Sequence, residues 1–206
     1  VSLLIPVQKA YCTDRGFDAC VMAQQVLGGH GYVAEWGLEQ NVRDARIAQI
    51  YEGENGVQAL DLMGRKTVRA NGELLALLSE EMDAFVTAQA EVAAMQPYLA
   101  SLATCRGVLA EATRFVIDGA SQNPEEIGAA SYAYMELMGL TLYCFMWQRI
   151  LAAALADKGG DNAEYLDGLV KVGEFFLARQ VPRVHSLLAE IEAGSESLMA
   201  MAANQF

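Results

Sequence analysis

The sequence predicts an all-α fold, and three observations indicate it. Long stretches are rich in Ala, Leu, Met, Glu and Gln, which lose little side-chain freedom in a helix. Runs of β-branched residues are few, and the 206 residues include only four prolines. Hydrophobic residues make up 53% of the chain, enough to bury a substantial core. We therefore expect a helical protein with one large domain or two smaller ones.

The first 70 residues are predicted to form short helices separated by glycine-rich turns. An apolar helix is expected from about Phe17 to Leu27. Two turns follow it, GGHG at 28–31 and YEGENG at 51–56, where glycine permits backbone conformations that other residues resist. Closely spaced glycines among polar and aromatic residues are typical of a segment that carries a site.

Residues 73–206 are predicted to form an antiparallel helical bundle. SQNPEE at 121–126 places Pro124 in a first helical turn that also holds acidic residues, and DKGGDN at 157–162 ends that helix. Short turns between long helices favour antiparallel neighbours. The aromatic and Met-rich run at 132–149 is interpreted as bundle core. The predicted helices cover 73–95, 98–119, 124–157 and 161–180, with a shorter one after Pro182.

Charge and cysteine content exclude several classes of function. The net charge of −12 opposes binding to nucleic acid, which depends on clustered Lys and Arg. No metal site or disulfide framework is predicted, because the cysteines lack ligand spacing. Charged and polar residues interrupt the apolar stretch 129–156, so we interpret it as a core helix and expect no membrane span. A reducing, cytoplasmic setting fits the four cysteines, which are Cys12, Cys20, Cys105 and Cys144.

The stretch IYEGENG places two carboxylates, Glu52 and Glu54, around Gly53 just before a new helix. Apolar neighbours would remove water from Glu52, and such an environment suits a general base. Glu54 is suited to capping the following helix. From the residues alone, capping remains the alternative for Glu52. The glycines at 28–29 suit backbone contacts with phosphate oxygens, although the same pattern also ends helices.

The segment QVLGGHGYVAEWGLEQNVRDARIAQIYEGENGVQ, at 25–58, resembles the C-terminal signature of acyl-CoA dehydrogenases. It contains in order a Q-x-x-G-G-x-G-[YF] turn, R-D-A-R and I-Y-E-G. The chain is similar to the larger bacterial branch of that family, which includes dehydrogenases of fatty acyl-CoA and of 3-methylmercaptopropionyl-CoA. The resemblance implies that residues 1–70 end the catalytic C-terminal helical domain and that 73–206 form an additional bundle domain.

The resemblance also implies roles for individual residues. Glu52 would be the base that removes the α-proton of an acyl-CoA thioester while FAD takes a hydride from the β-carbon. Arg43 and Asp44 would form an ion pair between the two turns. A neighbouring subunit's FAD would be contacted by Gln25, Val26, Leu27, Gly28 and Gly29. Further flavin contacts would come from Glu54, Asn55 and Gly56.

The family further implies a homo-oligomer and an electron-transfer flavoprotein as electron acceptor. Its enzymes need an N-terminal helical domain and a middle β-domain that this sequence does not contain. We therefore expect the chain to be a C-terminal fragment that is inactive alone. The alternative is a protein of another class, a non-catalytic helical module that mediates subunit association and keeps the motif as scaffold.

Overall fold

The computed structural model describes residues 1–157 and 160–205, and within those ranges the chain forms helices and no strand. The predicted all-α fold is confirmed. A π-helix, Asp61–Val68, continues the third α-helix directly. The α-helices are α1 (Leu4–Val26), α2 (Leu38–Ala48), α3 (Asn55–Leu60), α4 (Glu73–Gln89), α5 (Gln96–Ala120), α6 (Glu125–Ala156), α7 (Ala163–Arg179), α8 (Arg183–Glu192) and α9 (Glu196–Met199).

Helix α1 begins much earlier than predicted. Phe17 was the expected start, but the helix already runs from Leu4, with Pro6 in its first turn. Proline is tolerated there because the first backbone N–H groups of a helix have no intrahelical acceptor. The first half of α1 is buried through residues such as Val7 and Tyr11, whereas its second half is largely exposed.

The bundle helices match their predicted ranges closely, apart from the end of α4. At the start of α6, Asn123 Oδ1 accepts a hydrogen bond from the Glu125 backbone N–H at 3.1 Å. Helix α4 ends at Gln89, because Val92 is extended and the Gln96 side chain bonds the Ala90 carbonyl. Of the predicted turn at 157–162, residues 158 and 159 lie outside the described residues.

Contacts along α6 confirm the antiparallel arrangement. Near the α5–α6 connection the hydroxyls of Thr113 and Tyr134 lie 2.7 Å apart. At the far end Gln148 Nε2 donates to the Tyr98 carbonyl at 2.6 Å, so the end of α6 meets the start of α5. The Phe176 ring of α7 packs on Trp147 with centroids 6.1 Å apart. Helix α6 therefore lies between its sequence neighbours.

Helix α6 is the central element of the core. It carries more buried residues than any other helix, including most of the apolar run 137–145. By length and composition it is the one helix of the described residues that would suffice to cross a membrane, but 56% of its most apolar window is buried inside the protein. The interpretation of residues 132–149 as bundle core agrees with that burial. The core continues into the π-helix through Leu62 and Met63. The domain boundary at 70–73 stays a prediction.

Helix α1 meets α6 through a tight contact and a partly buried ion pair. The Tyr11 ring lies directly over Gly139. Next to it, Arg15 Nη2 lies 3.2 Å from Glu136 Oε1, and Arg183 approaches the same carboxyl. Burial raises the pKa of the Glu136 carboxyl, and the two guanidinium groups oppose that rise. This interface joins the first part of the chain to the bundle.

The contact between α1 and α6 predicts a large effect of one methyl group. A Cβ at Gly139 would lie 2.2 Å from Cγ of Tyr11, so Gly139→Ala should lower the free energy of unfolding by about 1–3 kcal/mol through overpacking. Gly128→Ala in the same helix is the control. The Cβ added at Gly128 meets no atom within 4 Å, so this substitution should raise the free energy of unfolding by up to about 1 kcal/mol through helix propensity. Urea unfolding of both variants checks this, and equal stabilities would contradict the contact.

Candidate active site

Helices α1 and α2 form an antiparallel hairpin that separates the two glycine-rich turns. Gln49, after α2, donates from Nε2 to Asp14 Oδ1 at 2.6 Å, and Arg46 lies over the Phe17 ring. The other turn, Gly28–Tyr32, follows the far end of α1. Twelve residues of α1 (15–26) and Leu27 lie between Asp14 and that turn, which corresponds to roughly 20 Å at 1.5 Å per residue. The chain therefore does not bring its two candidate segments together.

The segment 25–29 presents exposed backbone at the tip of the hairpin. Val26 is 84% exposed, and Gly28 has a φ of 55°, which favours glycine. Added Cβ atoms at Gly28 and Gly29 would meet no atom within 4 Å, so this surface is open to close approach. Gly31 is the packed glycine of the turn, since a Cβ there would lie 2.1 Å from the Gln24 carbonyl oxygen. The sequence analysis did not assign that packing role to Gly31.

Glu52 lies at the tip of the acidic turn in a strained conformation. Its φ is 54°, in the left-handed region that residues with a Cβ rarely adopt, and Gly53 follows at 80°. The predicted apolar cover does not form among the residues that the structure describes. Ile50 and Tyr51 are themselves 49% and 51% exposed, and Glu52 is exposed beside them. Side chains of adjacent residues in a tight turn diverge, which leaves the carboxylate open on one side.

Glu54 caps helix α3, as predicted. Its Oε1 accepts from the Val57 N–H at 2.7 Å and its Oε2 from the Gly56 N–H at 2.8 Å. The Glu54 backbone is extended, with φ −61° and ψ 163°, as an N-cap residue requires. Both carboxylate oxygens are therefore engaged inside the chain. Its predicted flavin contact stays a prediction.

Asn55 ties α3 to α1 and is 4% exposed. Its Oδ1 accepts from Lys9 Nζ at 2.7 Å, and its Nδ2 donates to Asp14 Oδ1 at 2.6 Å and to Thr13 Oγ1 at 2.9 Å. These bonds occupy the side-chain amide. A flavin contact from Asn55, which stays a prediction, would have to use its backbone.

Asp14 and Tyr132 complete the network around the turn, and the sequence analysis missed both. Asp14 is 5% exposed, and its Oδ2 accepts from the Tyr132 hydroxyl at 2.5 Å. Burial raises the pKa of the Tyr132 hydroxyl, and the hydrogen bond to Asp14 raises it further, so the hydroxyl stays a donor at neutral pH. A cleft of about 420 Å³ is lined by these two residues and by Arg46, Gln49, Ile50, Glu54, Asn55 and Gly56.

The predicted ion pair between Arg43 and Asp44 is not formed within residues 1–157 and 160–205. Asp44 Oδ1 instead accepts from Gln40 Nε2 at 2.6 Å along the exposed side of α2. Adjacent residues on a helix point about 100° apart, so their side chains do not face each other. The hairpin is held by Gln49 and Asp14 rather than by this pair.

Comparison with protein families shows the class to which this helical chain belongs. Residues 2–67 match the family described as acyl-CoA dehydrogenase, C-terminal domain. Residues 78–202 match the family described as acetyl-CoA dehydrogenase C-terminal like. The chain therefore belongs to the acyl-CoA dehydrogenase family, which confirms the resemblance drawn from its motifs.

Individual relatives match along nearly the whole chain. The 3-methylmercaptopropionyl-CoA dehydrogenase of Ruegeria pomeroyi is 34% identical over 86% of this chain and 30% of its own length. The broad-specificity linear acyl-CoA dehydrogenase FadE5 of Mycobacterium tuberculosis is 30% identical over 96% of this chain and 34% of its own length. A butyryl-CoA dehydrogenase of Syntrophomonas wolfei is 26% identical over 98% of this chain and 34% of its own length. The chain spans about a third of the length of these relatives.

The two carboxylates of the turn should affect stability differently. Both Glu54 carboxylate oxygens accept hydrogen bonds now, whereas the amide of Glu54→Gln has only one accepting oxygen and no charge at the helix N-terminus. The substitution should therefore lower the free energy of unfolding by about 1 kcal/mol. Glu52→Gln should change stability by less than about 0.5 kcal/mol, because the side chain is exposed. Urea unfolding of this chain measures both. A larger loss for the Glu52 variant would refute the assigned cap.

Proposed function

We propose that this chain is the C-terminal part of an FAD-dependent acyl-CoA dehydrogenase and that Glu52 is its catalytic base. The observation that carries the proposal is the conformation of Glu52, a residue with a side chain at a φ of 54° on an exposed turn. Such strain persists only where surrounding contacts impose it, and it concentrates at functional sites. The match of I-Y-E-G to the family signature supports the same residue.

The proposed reaction converts an acyl-CoA thioester into its 2,3-enoyl-CoA. The Glu52 carboxylate would accept the α-proton, and Gly53 would let the turn bring that carboxylate close to the substrate. Because its neighbours in this chain leave Glu52 exposed, the water-excluding surface would have to come from the substrate and from regions outside this chain. Desolvation of that kind makes a carboxylate a stronger base.

The residues at the tip of the hairpin fit a flavin contact. Segment 25–29 offers exposed backbone with open space beside two glycines, which suits approach by the ADP part of FAD. Its position far from Glu52 supports contact with the flavin of a neighbouring subunit in a homo-oligomer. Bound FAD would supply the hydride acceptor, and an electron-transfer flavoprotein would reoxidise it. We propose a cytoplasmic enzyme.

Glu52→Gln in the full-length protein tests the base directly. The amide keeps the size of the side chain but does not accept the α-proton, so the chemical step should slow by a factor on the order of 10²–10⁴. FAD content should not change, because the variant alters neither segment 25–29 nor the capped helix. Single-turnover reduction of the flavin by a panel of acyl-CoA thioesters measures the step.

Glu54→Gln is the matched control for that experiment, since it changes the same residue type two positions away. Because both Glu54 oxygens cap α3, its flavin reduction per bound FAD should stay within a few-fold of wild type. Loss of turnover in the Glu54 variant with retention in the Glu52 variant would refute the assignment of the base. If the full-length protein binds FAD but none of the acyl-CoA thioesters reduces that flavin, the result would favour the non-catalytic module.

The isolated 206-residue chain should neither retain FAD nor oxidise acyl-CoA. A flavin that loses most of its contacts loses several kcal/mol of binding, and each 1.4 kcal/mol is about tenfold in affinity. Visible flavin absorbance of the purified chain, after incubation with FAD and gel filtration, measures retention. Stoichiometric flavin on the isolated chain would contradict the proposed division of the site.

A further inference from the structure

The turn that carries Glu52 is closed at its neck by three hydrogen bonds. The Asn55 backbone N–H donates to the Gln49 carbonyl at 3.1 Å, which joins the two flanks of the turn. The side chains of both flanking residues donate to one atom, Asp14 Oδ1, each at 2.6 Å. Asp14 belongs to α1, so the turn is fixed to a helix that lies outside it in sequence. We call this set of contacts the neck of the turn.

The neck is in turn held by the bundle. Tyr132, near the start of α6, donates to the second oxygen of Asp14 at 2.5 Å. Asp14 is 5% exposed, and hydrogen bonds in such a water-poor environment are stronger than those on the surface. The Asp14 carboxyl is therefore fixed on both oxygens, by the flanks of the turn on one side and by α6 on the other.

Glu52 gains its conformation from this frame. A residue with a Cβ adopts a φ of 54° only where contacts around it impose that value. Within the described residues the Glu52 side chain makes no hydrogen bond, and Gln58 Nε2 donates only to the backbone carbonyls of Glu52 and Gly53, at 3.4 Å. The Tyr51 N–H donates to the Ile47 carbonyl at 3.1 Å, which continues α2, whereas the contacts that tie the turn to α1 are those of the neck.

We infer that Asp14 and Tyr132 are positioning residues for the Glu52 turn, and that α6 of the C-terminal bundle thereby sets the geometry of the site. The inference about catalysis rests on the proposed function, whereas the inference about the turn does not. Reaction rates depend steeply on the placement of a base, so release of the neck lowers the rate of proton transfer more than it weakens substrate binding.

Tyr132→Phe is the test, because it removes the hydroxyl and keeps the ring of a residue that is 46% exposed. Tyr143→Phe is the control. Tyr143 is also on α6, and its hydroxyl also contacts α1, at Cys12 Sγ 3.7 Å away, but it does not touch the neck. Both variants are made in the full-length protein that carries this chain. Hydrogen exchange is measured at the backbone amide of Asn55, which donates across the neck, and kcat and KM are measured with the best acyl-CoA substrate.

We expect Tyr132→Phe to speed exchange at the Asn55 amide by roughly tenfold, as loss of one partly buried hydrogen bond to a carboxyl implies. Its kcat should fall by about tenfold with KM and FAD content unchanged. Tyr143→Phe should leave exchange and kcat at wild-type values.

Unchanged exchange in Tyr132→Phe would overturn the positioning role, as would faster exchange with an unchanged kcat. Parallel falls in FAD content and kcat would also overturn it, since they report general damage. If the wild-type protein oxidises no acyl-CoA, the proposed function fails, and the exchange measurement still decides whether Tyr132 holds the turn.

Discussion

The structure around the candidate site depends on one buried carboxyl. A polar group removed from water must be fully hydrogen-bonded, and Asp14 satisfies this requirement with donors from three separate segments. Those donors stand after α2, at the start of α3 and on α6. The hairpin, the acidic turn and the bundle thus meet at a single side chain. Displacing α6 would leave Asp14 Oδ2 without its donor, and displacing either flank of the turn would remove one of the two donors to Oδ1.

Two glutamates only two positions apart show how local geometry divides similar residues. Glu54 takes an extended backbone, and both of its oxygens are used to cap a helix. Glu52 takes a left-handed backbone and points a free carboxylate away from the chain. Capping lowers the energy of the fold, whereas the strain at Glu52 raises it. A chain that maintains such strain at an acidic residue needs a compensating framework, and the neck of the turn provides it.

Local patterns in the sequence predicted the bundle well, because helix ends are encoded by nearby residues such as Asn123 and Pro124. The cap at Glu54 was predictable for the same reason. The early start of α1 was missed because its first half lacks a capping signal, and the burial of Tyr11 depends on α6. The contact between Asp14 and Tyr132 spans 118 positions. No periodicity or spacing rule links residues so far apart, so the frame of the turn becomes visible only in three dimensions.

The fit of Tyr11 over Gly139 has a consequence for modular exchange. Tyr11 and Gly139 lie on either side of the predicted domain boundary at 70–73, where recombination would most simply divide the chain. A bundle from another protein would need a glycine at the position equivalent to Gly139, or α1 would need a smaller residue than Tyr11. Exchange of this bundle between proteins is therefore limited by the need for a residue without a Cβ at position 139.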